Sequence, residues 1–228
     1  MSMSLGILEI SYLIASVAFI IGLKRLSHPE KARSGNILAS IGMGLAVVCT
    51  IVFHESVGIS NKNILLILAA IGVGTLAGWW IAKKAEMTEM PQLVSFYNGM
   101  GGVCAALISL IELPHYMDHS GKFTGEMGSG FMLAVLLGLI IGSVSFSGSI
   151  IAWAKLDGRM GDIRSKAMSI VNLVILFGLL SSIGYIMTLN NIEGFNDISG
   201  IIYILFGCAM VYGILFVLPI GGADMPVV

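Results

Sequence analysis

Seven long apolar runs, separated by short polar stretches, organise this chain. They cover approximately Leu5–Leu23, Ile37–Phe53, Ile64–Ala82, Pro91–Ile111, Gly130–Ala154, Ala167–Leu189 and Ile198–Ile220. Each approaches the ~20 residues that a helix needs to cross a hydrocarbon core about 30 Å thick. Backbone groups in lipid must find partners within their own segment, which selects helices. The runs are also too continuous for barrel strands, whose apolar positions alternate. The pattern therefore predicts an all-α integral membrane protein: a polytopic helix bundle with seven full transmembrane helices. The first run reads as a span and not as a cleaved signal peptide, because its basic residues follow it instead of preceding it.

The polar stretches orient the bundle. The first, third and fifth loops hold Lys24, Arg25, Lys31, Arg33, Lys83, Lys84, Lys155, Arg159, Arg164 and Lys166, while the other three hold only Lys62 and Lys122. Basic residues accumulate on the cytoplasmic side, so the odd loops are cytoplasmic and the N-terminus is outside. After Ile220 the chain reads GGADMPVV. Asp224 suits an N-cap and Pro226 a first helical turn, so an eighth helix is expected to start here, with the chain stopping one turn into it. An acidic residue directly before Met-Pro occurs twice, in TEMPQLV and in ADMPVV. Both sit at a cytoplasmic helix start, where a carboxylate complements the helix dipole.

Composition agrees with a lipid solvent. Of 228 residues, 57% are hydrophobic and 11% charged, against about 25% charged in a soluble domain. The 29 glycines exceed the usual share of about 7% and let membrane helices approach closely. A net charge of −1 points to neither nucleic acid nor an acidic partner. Cys49, Cys104 and Cys208 lie far apart inside apolar runs and read as small buried side chains. Gly99, Gly101 and Cys104 imitate a dinucleotide-binding fingerprint, but no strand precedes them and the string lies within a span.

Three strings carry a family resemblance: EMTEMPQLVSFYNGMGG (Glu86–Gly102), GSVSFSGSIIAWAKLDG (Gly142–Gly158) and the terminal GGADMPVV (Gly221–Val228). In this order, with this number of spans and this orientation, the chain resembles the beta subunit of the proton-translocating nicotinamide nucleotide transhydrogenase. The resemblance implies that residues 1–228 form a single transmembrane domain, ending before the remaining helices and a cytoplasmic NADP(H)-binding domain. It implies proton movement coupled to hydride transfer from NADH to NADP⁺ in soluble domains. No redox chemistry, cofactor or metal is expected of this chain itself. The expected partners are the lipid bilayer, the alpha subunit's membrane helices and NAD(H) domain, the NADP(H) domain, and a second copy of the complete enzyme. The expected location is the inner (plasma) membrane.

Polar residues within spans are costly in lipid and mark function. Ser95, Asn98, Gly102, Ala105 and Ser109 fall on one stripe of the fourth span; Gly138, Gly142, Ser145 and Ser149 form another on the fifth. Facing stripes of this kind either enclose water able to relay protons or simply let helices pack, as Gly74 and Gly78 would also do. The resemblance implies a proton path through Asn98, Ser145, Ser149, Asn172 and Asp224. Asn98 stands eight residues after Met90, where several family members carry a titratable histidine. The four histidines here, His28, His54, His115 and His119, lie in or beside loops, so a partner subunit or water must bridge the membrane centre. Asp224, at the cytoplasmic mouth, and Asp157 and Arg159, in a loop that also holds Lys155, Asp162 and Arg164, are expected to meet the nucleotide domain. His115, Asp118 and His119 read as ordinary loop residues on the outer side. Two other functions fit the composition: a secondary transporter for a small solute, with a midplane cavity and a broken helix, and a purely structural membrane subunit.

Overall fold

The computed structural model describes residues 3–26, 28, 30–53, 60–120, 128–161, 163, 166–188 and 195–221. Among these, seven helices are long and apolar enough to cross a membrane. They are α1 (Met3–Leu26), α2 (Ala32–Val52), α3 (Asn61–Lys84), α4 (Met90–Ser120), α5 (Gly128–Leu156), α6 (Lys166–Thr188) and α7 (Phe195–Val217), with a 3₁₀ turn at Met87–Glu89. The chain divides into two compact units, Met1–Lys84 and Ala85–Val228.

In the first unit, α1 and α2 pack as a hairpin at small residues. A Cβ on Gly35 would stand 2.6 Å from the Gly22 carbonyl, and one on Gly42 would stand 2.9 Å from that of Ala15. Such approaches substitute for the hydrophobic drive that lipid removes. No residue in the apolar window of α3 is buried, and Gly74 and Gly78 meet nothing where a Cβ would stand. Among the described residues, the close glycine packing of this unit is made by α1 and α2. At the end of α3, Lys83 and Lys84 lie 4.3 and 4.0 Å from the ring centres of Trp79 and Trp80. This pairing of rings and cations suits a membrane–water interface.

The second unit holds four helices with alternating directions. Gln92 at the start of α4 donates to the Leu156 carbonyl at the end of α5 (3.2 Å), and Asn172 near the start of α6 donates to Leu215 near the end of α7 (3.0 Å). One end of the unit therefore gathers the start of α4, the end of α5, the start of α6 and the end of α7; it is the end that the basic residues assign to the cytoplasm. Towards the other end lies a dry core of Leu113, Leu136, Leu139, Ile186 and Ile202, each fully buried.

Helix α4 runs well past the expected end of its span at Ile111. Its 31 residues give about 46 Å at 1.5 Å per residue, longer than the hydrocarbon core. The outer segment with His115, Asp118 and His119, expected as loop, is helical backbone through Ser120. Polarity ended the apolar run there, but backbone hydrogen bonding carries the helix on. Pro114 sits within it.

Candidate functional site

The cytoplasmic end of the second unit contains a cavity of about 790 Å³ between α4, α5 and α7. It extends from the helix ends at Met90, Leu156 and Ile220 inwards to Asn98, Val144 and Gly213. Its polar groups are Ser95, Asn98, Ser145 and Ser149, on walls otherwise made of aliphatic side chains, glycine and Phe216.

Helix periodicity places these groups. Gln92, Ser95 and Asn98 recur every three residues on α4 and face the end of α5. Ser95 Oγ donates to the Ser149 carbonyl (2.9 Å), and Asn98 Nδ2 donates to Ser149 Oγ (3.2 Å). Ser149 is buried, whereas Asn98 remains exposed on the cavity. The arrangement leaves the Asn98 amide oxygen as an acceptor beside a hydroxyl, a pair suited to ordering water. Asn98 lies roughly 12 Å along α4 from Met90.

Beyond Asn98 the two helices close on each other. A Cβ on Gly102 would stand 2.8 Å from both the Gly142 carbonyl and the Phe146 nitrogen, and one on Gly142 would stand 2.6 Å from the Gly102 carbonyl. One turn further, a Cβ on Gly138 would meet Ser109 Oγ at 2.7 Å. The two stripes therefore divide by depth. Ser95, Asn98, Ser145 and Ser149 border the cavity, while Gly102 and Gly142 bring the two backbones together and the Ser109 hydroxyl occupies the space beside Gly138.

The sequence model of the family described as NAD(P) transhydrogenase beta subunit matches residues 8–228. The chain belongs to this family. Two relatives from Rhodospirillum rubrum, one assigned to a particular strain, are each called NAD(P) transhydrogenase subunit beta; each is 32% identical over 218 residues, 96% of this chain and 45% of its own length. The chain thus spans about half the length of the relatives it matches.

For a member of the transhydrogenase beta family, the predicted residues fall in three places. Asn98, Ser145 and Ser149 meet at the cavity. Asn172 lies outside it, on the contact between α6 and α7; its Nδ2 is bonded to Leu215, and its Oδ1 is buried with no partner among the described residues. Asp224 lies outside the described residues, as do Asp162 and Arg164. Asp157 and Arg159 form an ion pair with each other, and the guanidinium stacks over Trp153 at 5.0 Å. Arg159 keeps 67% of its side chain exposed, so it still faces the aqueous side.

Sequence reasoning missed Lys155. Expected as a loop cation, it lies in the last turn of α5 and is 6% exposed. Its ammonium donates to the carbonyls of Leu218 and, at 2.8 Å, Ile220. The available signal was its position inside the helical repeat of α5, four residues short of Arg159. Among the described residues the cavity lining offers no cationic side chain to meet a pyrophosphate. Its chemistry is that of hydroxyls, an amide and apolar walls.

Proposed function

We propose that this chain is the membrane part of a proton-translocating transhydrogenase and gives protons access from the cytoplasmic side. The hydride passes from NADH to NADP⁺ in soluble domains carried by the alpha subunit and by the nucleotide-binding domain of the beta subunit. The carrying observation is the Asn98–Ser149 pair on a cavity that ends at the Gly102–Gly142 contact. A wide vestibule that narrows at a helix crossing is a suitable place to gate a proton. Asparagine cannot titrate, so Asn98 orients water through its amide and the proton moves along that water. The titrating group is then supplied by another helix of the complex. Asp224 continues the path at the cytoplasmic mouth, and Asn172, whose buried amide oxygen has no partner among the described residues, is a further polar group on this side. Coupling to the nucleotide domain is a reciprocal free-energy linkage, made through the loop that carries Asp157 and Arg159. Two copies of the complete enzyme in the inner membrane complete the assembly.

The vestibule is broader than a single file of water, and breadth is what a solute transporter would need. However, it opens at one end of the unit and closes inwards at a helix crossing, and α4, α5 and α7 run unbroken beside it. The deciding experiment uses the full complex in vesicles carrying Asn98→Leu, with proton pumping and NADH-to-NADP⁺ transfer read together. We expect pumping and coupled turnover to be lost while assembly is intact. Unchanged coupling would remove Asn98 from the path.

A further inference from the structure

The cytoplasmic end of α7 lacks a cation of its own, because its last turn contains no basic residue. The final carbonyls of a helix have no intrahelical donors and carry the negative end of its dipole. Here the carbonyls of Ile214, Leu215 and Val217 accept from Leu218 N, Asn172 Nδ2 and Ile220 N, and a neighbouring helix supplies the charge just beyond, in the turn that follows α7. Lys155, buried in the last turn of α5, reaches the carbonyls of Leu218 and Ile220. The exposed Lys83 and Lys84, by contrast, remain at the surface over tryptophan rings.

The same carbonyl has a second donor. The backbone nitrogen of Ile163 donates to the Leu218 oxygen at 3.4 Å, so the lysine and the following loop converge on one atom. That loop leaves α5 through a Schellman turn. The Arg159 nitrogen donates to the Ala154 carbonyl and the Gly158 nitrogen to that of Lys155, each at 3.0 Å, with Gly158 at φ +73°. The loop is thus held at its start by the end of α5, and at Ile163 by the end of α7. Three elements share one clasp: α5, the loop with Asp157 and Arg159, and the exit of α7 that leads to Asp224.

We propose that Lys155 is a positioning residue for proton coupling, joining the Asp157–Ile163 loop to the exit of α7 so that engagement of the loop by the soluble nucleotide domain sets the mouth of the proton path. This rests on the reading of the chain as a proton-translocating domain. Lys155 touches neither a proton nor a nucleotide in this scheme. It transmits position, because the ammonium ties the end of α5, from which the loop departs, to the same Leu218 carbonyl that the Ile163 nitrogen reaches.

The test compares Lys155→Met, which keeps the aliphatic stem, with Lys155→Arg, which keeps the charge, in the full complex in vesicles. The readout is protons pumped per hydride transferred, with hydride transfer also measured in the presence of a protonophore. A purely structural role would lower the amount of assembled complex and leave this ratio alone. A positioning role moves the ratio: we expect Lys155→Met to lower it about tenfold, the scale of a lost charge-assisted hydrogen bond, and to retain transfer under the protonophore. Lys155→Arg is expected to restore most of the ratio. A wild-type ratio in Lys155→Met overturns the proposal, as does an equal loss in Lys155→Arg. Should Lys155→Met fail to assemble, Ile163→Pro removes the loop's donor to Leu218 with the lysine in place; a reduced ratio supports the clasp and an unchanged one overturns it. Asn98→Leu is run alongside. Loss of coupling in that variant with a normal Lys155→Met rejects the clasp alone, and the converse rejects the path through Asn98 alone.

Discussion

The two ends of the α4–α7 unit are built by the same helices and on different principles. Towards the outer end, Leu113, Leu136, Leu139, Ile186 and Ile202 interlock with no exposed surface. At the cytoplasmic end the helices separate around a cavity of about 790 Å³ and are joined by hydrogen bonds from Gln92, Ser95, Asn98, Asn172 and Lys155. Between them the Gly102–Gly142 contact brings two backbones together. Lipid gives apolar side chains little reason to leave it, so membrane helices associate through packing and interhelical hydrogen bonds. The outer end uses the first of these and the cytoplasmic end the second. A packed core is stiff, whereas an end held by a few polar links around open space can change shape. The outer end is thus built as the stiffer anchor, and the cytoplasmic end is the one with room to change shape.

The largest effect is expected at the divide. Gly142→Ala places a methyl against the Gly102 carbonyl and the Ala106 nitrogen, at 2.6 and 2.7 Å. Backbone atoms cannot rotate away, so α4 and α5 must part. We expect a loss of about 3 kcal/mol, the upper part of the range for overpacking, read as a lowered thermal midpoint of the purified complex in detergent. An unchanged midpoint would show that the crossing is not tight. Leu136→Ala tests the anchor itself. In soluble cores such truncations cost about 2–5 kcal/mol; with lipid in place of water the transfer contribution shrinks and the lost packing remains, which gives about 2 kcal/mol. The same measurement should find coupling per assembled complex unaltered, since the residue lies in the packed outer core.

The sequence shows the anchor more clearly than the moving part, for a physical reason. Hydropathy reports what must avoid water, and seven apolar runs became seven helices within a few residues at most ends. It does not report where a helix stops once it leaves lipid, which is why α4 continues beyond Ile111 through Ser120. The small-residue stripes were visible as a pattern, but whether they border open space or pack directly depends on the crossing point of α4 and α5. The answer changes within one turn, between Asn98 and Gly102. Lys155 was hidden by a rule that counts charge without direction: the positive-inside bias holds for it, yet its stem turns inwards to α7. Asn172 was legible as a polar residue in a span, but its partner, the Leu215 carbonyl on another helix, was not.

A smaller effect is expected at the turn that ends α5. Gly158 adopts φ +73° with no described residue near its Cβ position, so Gly158→Ala is expected to meet chiefly backbone strain, about 1 kcal/mol. Its thermal midpoint should fall less than that of Leu136→Ala. Since the loop with Asp157 and Arg159 departs from this turn, its coupling ratio should fall as well, which separates it from the outer-core variant. A reduced midpoint with a normal ratio would mean that the loop's path is not part of coupling.

The smallest effect on stability, and the sharpest test of the comparison, is expected at Ala152. This residue lines the cavity beside Ser149 and Leu156, and a leucine there extends into open space instead of packed atoms. Without a clash, a broken hydrogen bond or a new buried polar group, the change in stability should stay within about 0.5 kcal/mol. Function should respond differently, because the added methyl groups displace water next to the Asn98–Ser149 pair. We expect Ala152→Leu to assemble normally, keep its thermal midpoint and lose proton pumping, with hydride transfer in the presence of a protonophore retained. If pumping survives, the cavity is a void that the helices merely tolerate, and the path must leave Asn98 by another side. If the midpoint rises while pumping falls, the open space at this end is itself a cost in stability, carried for the sake of a proton route.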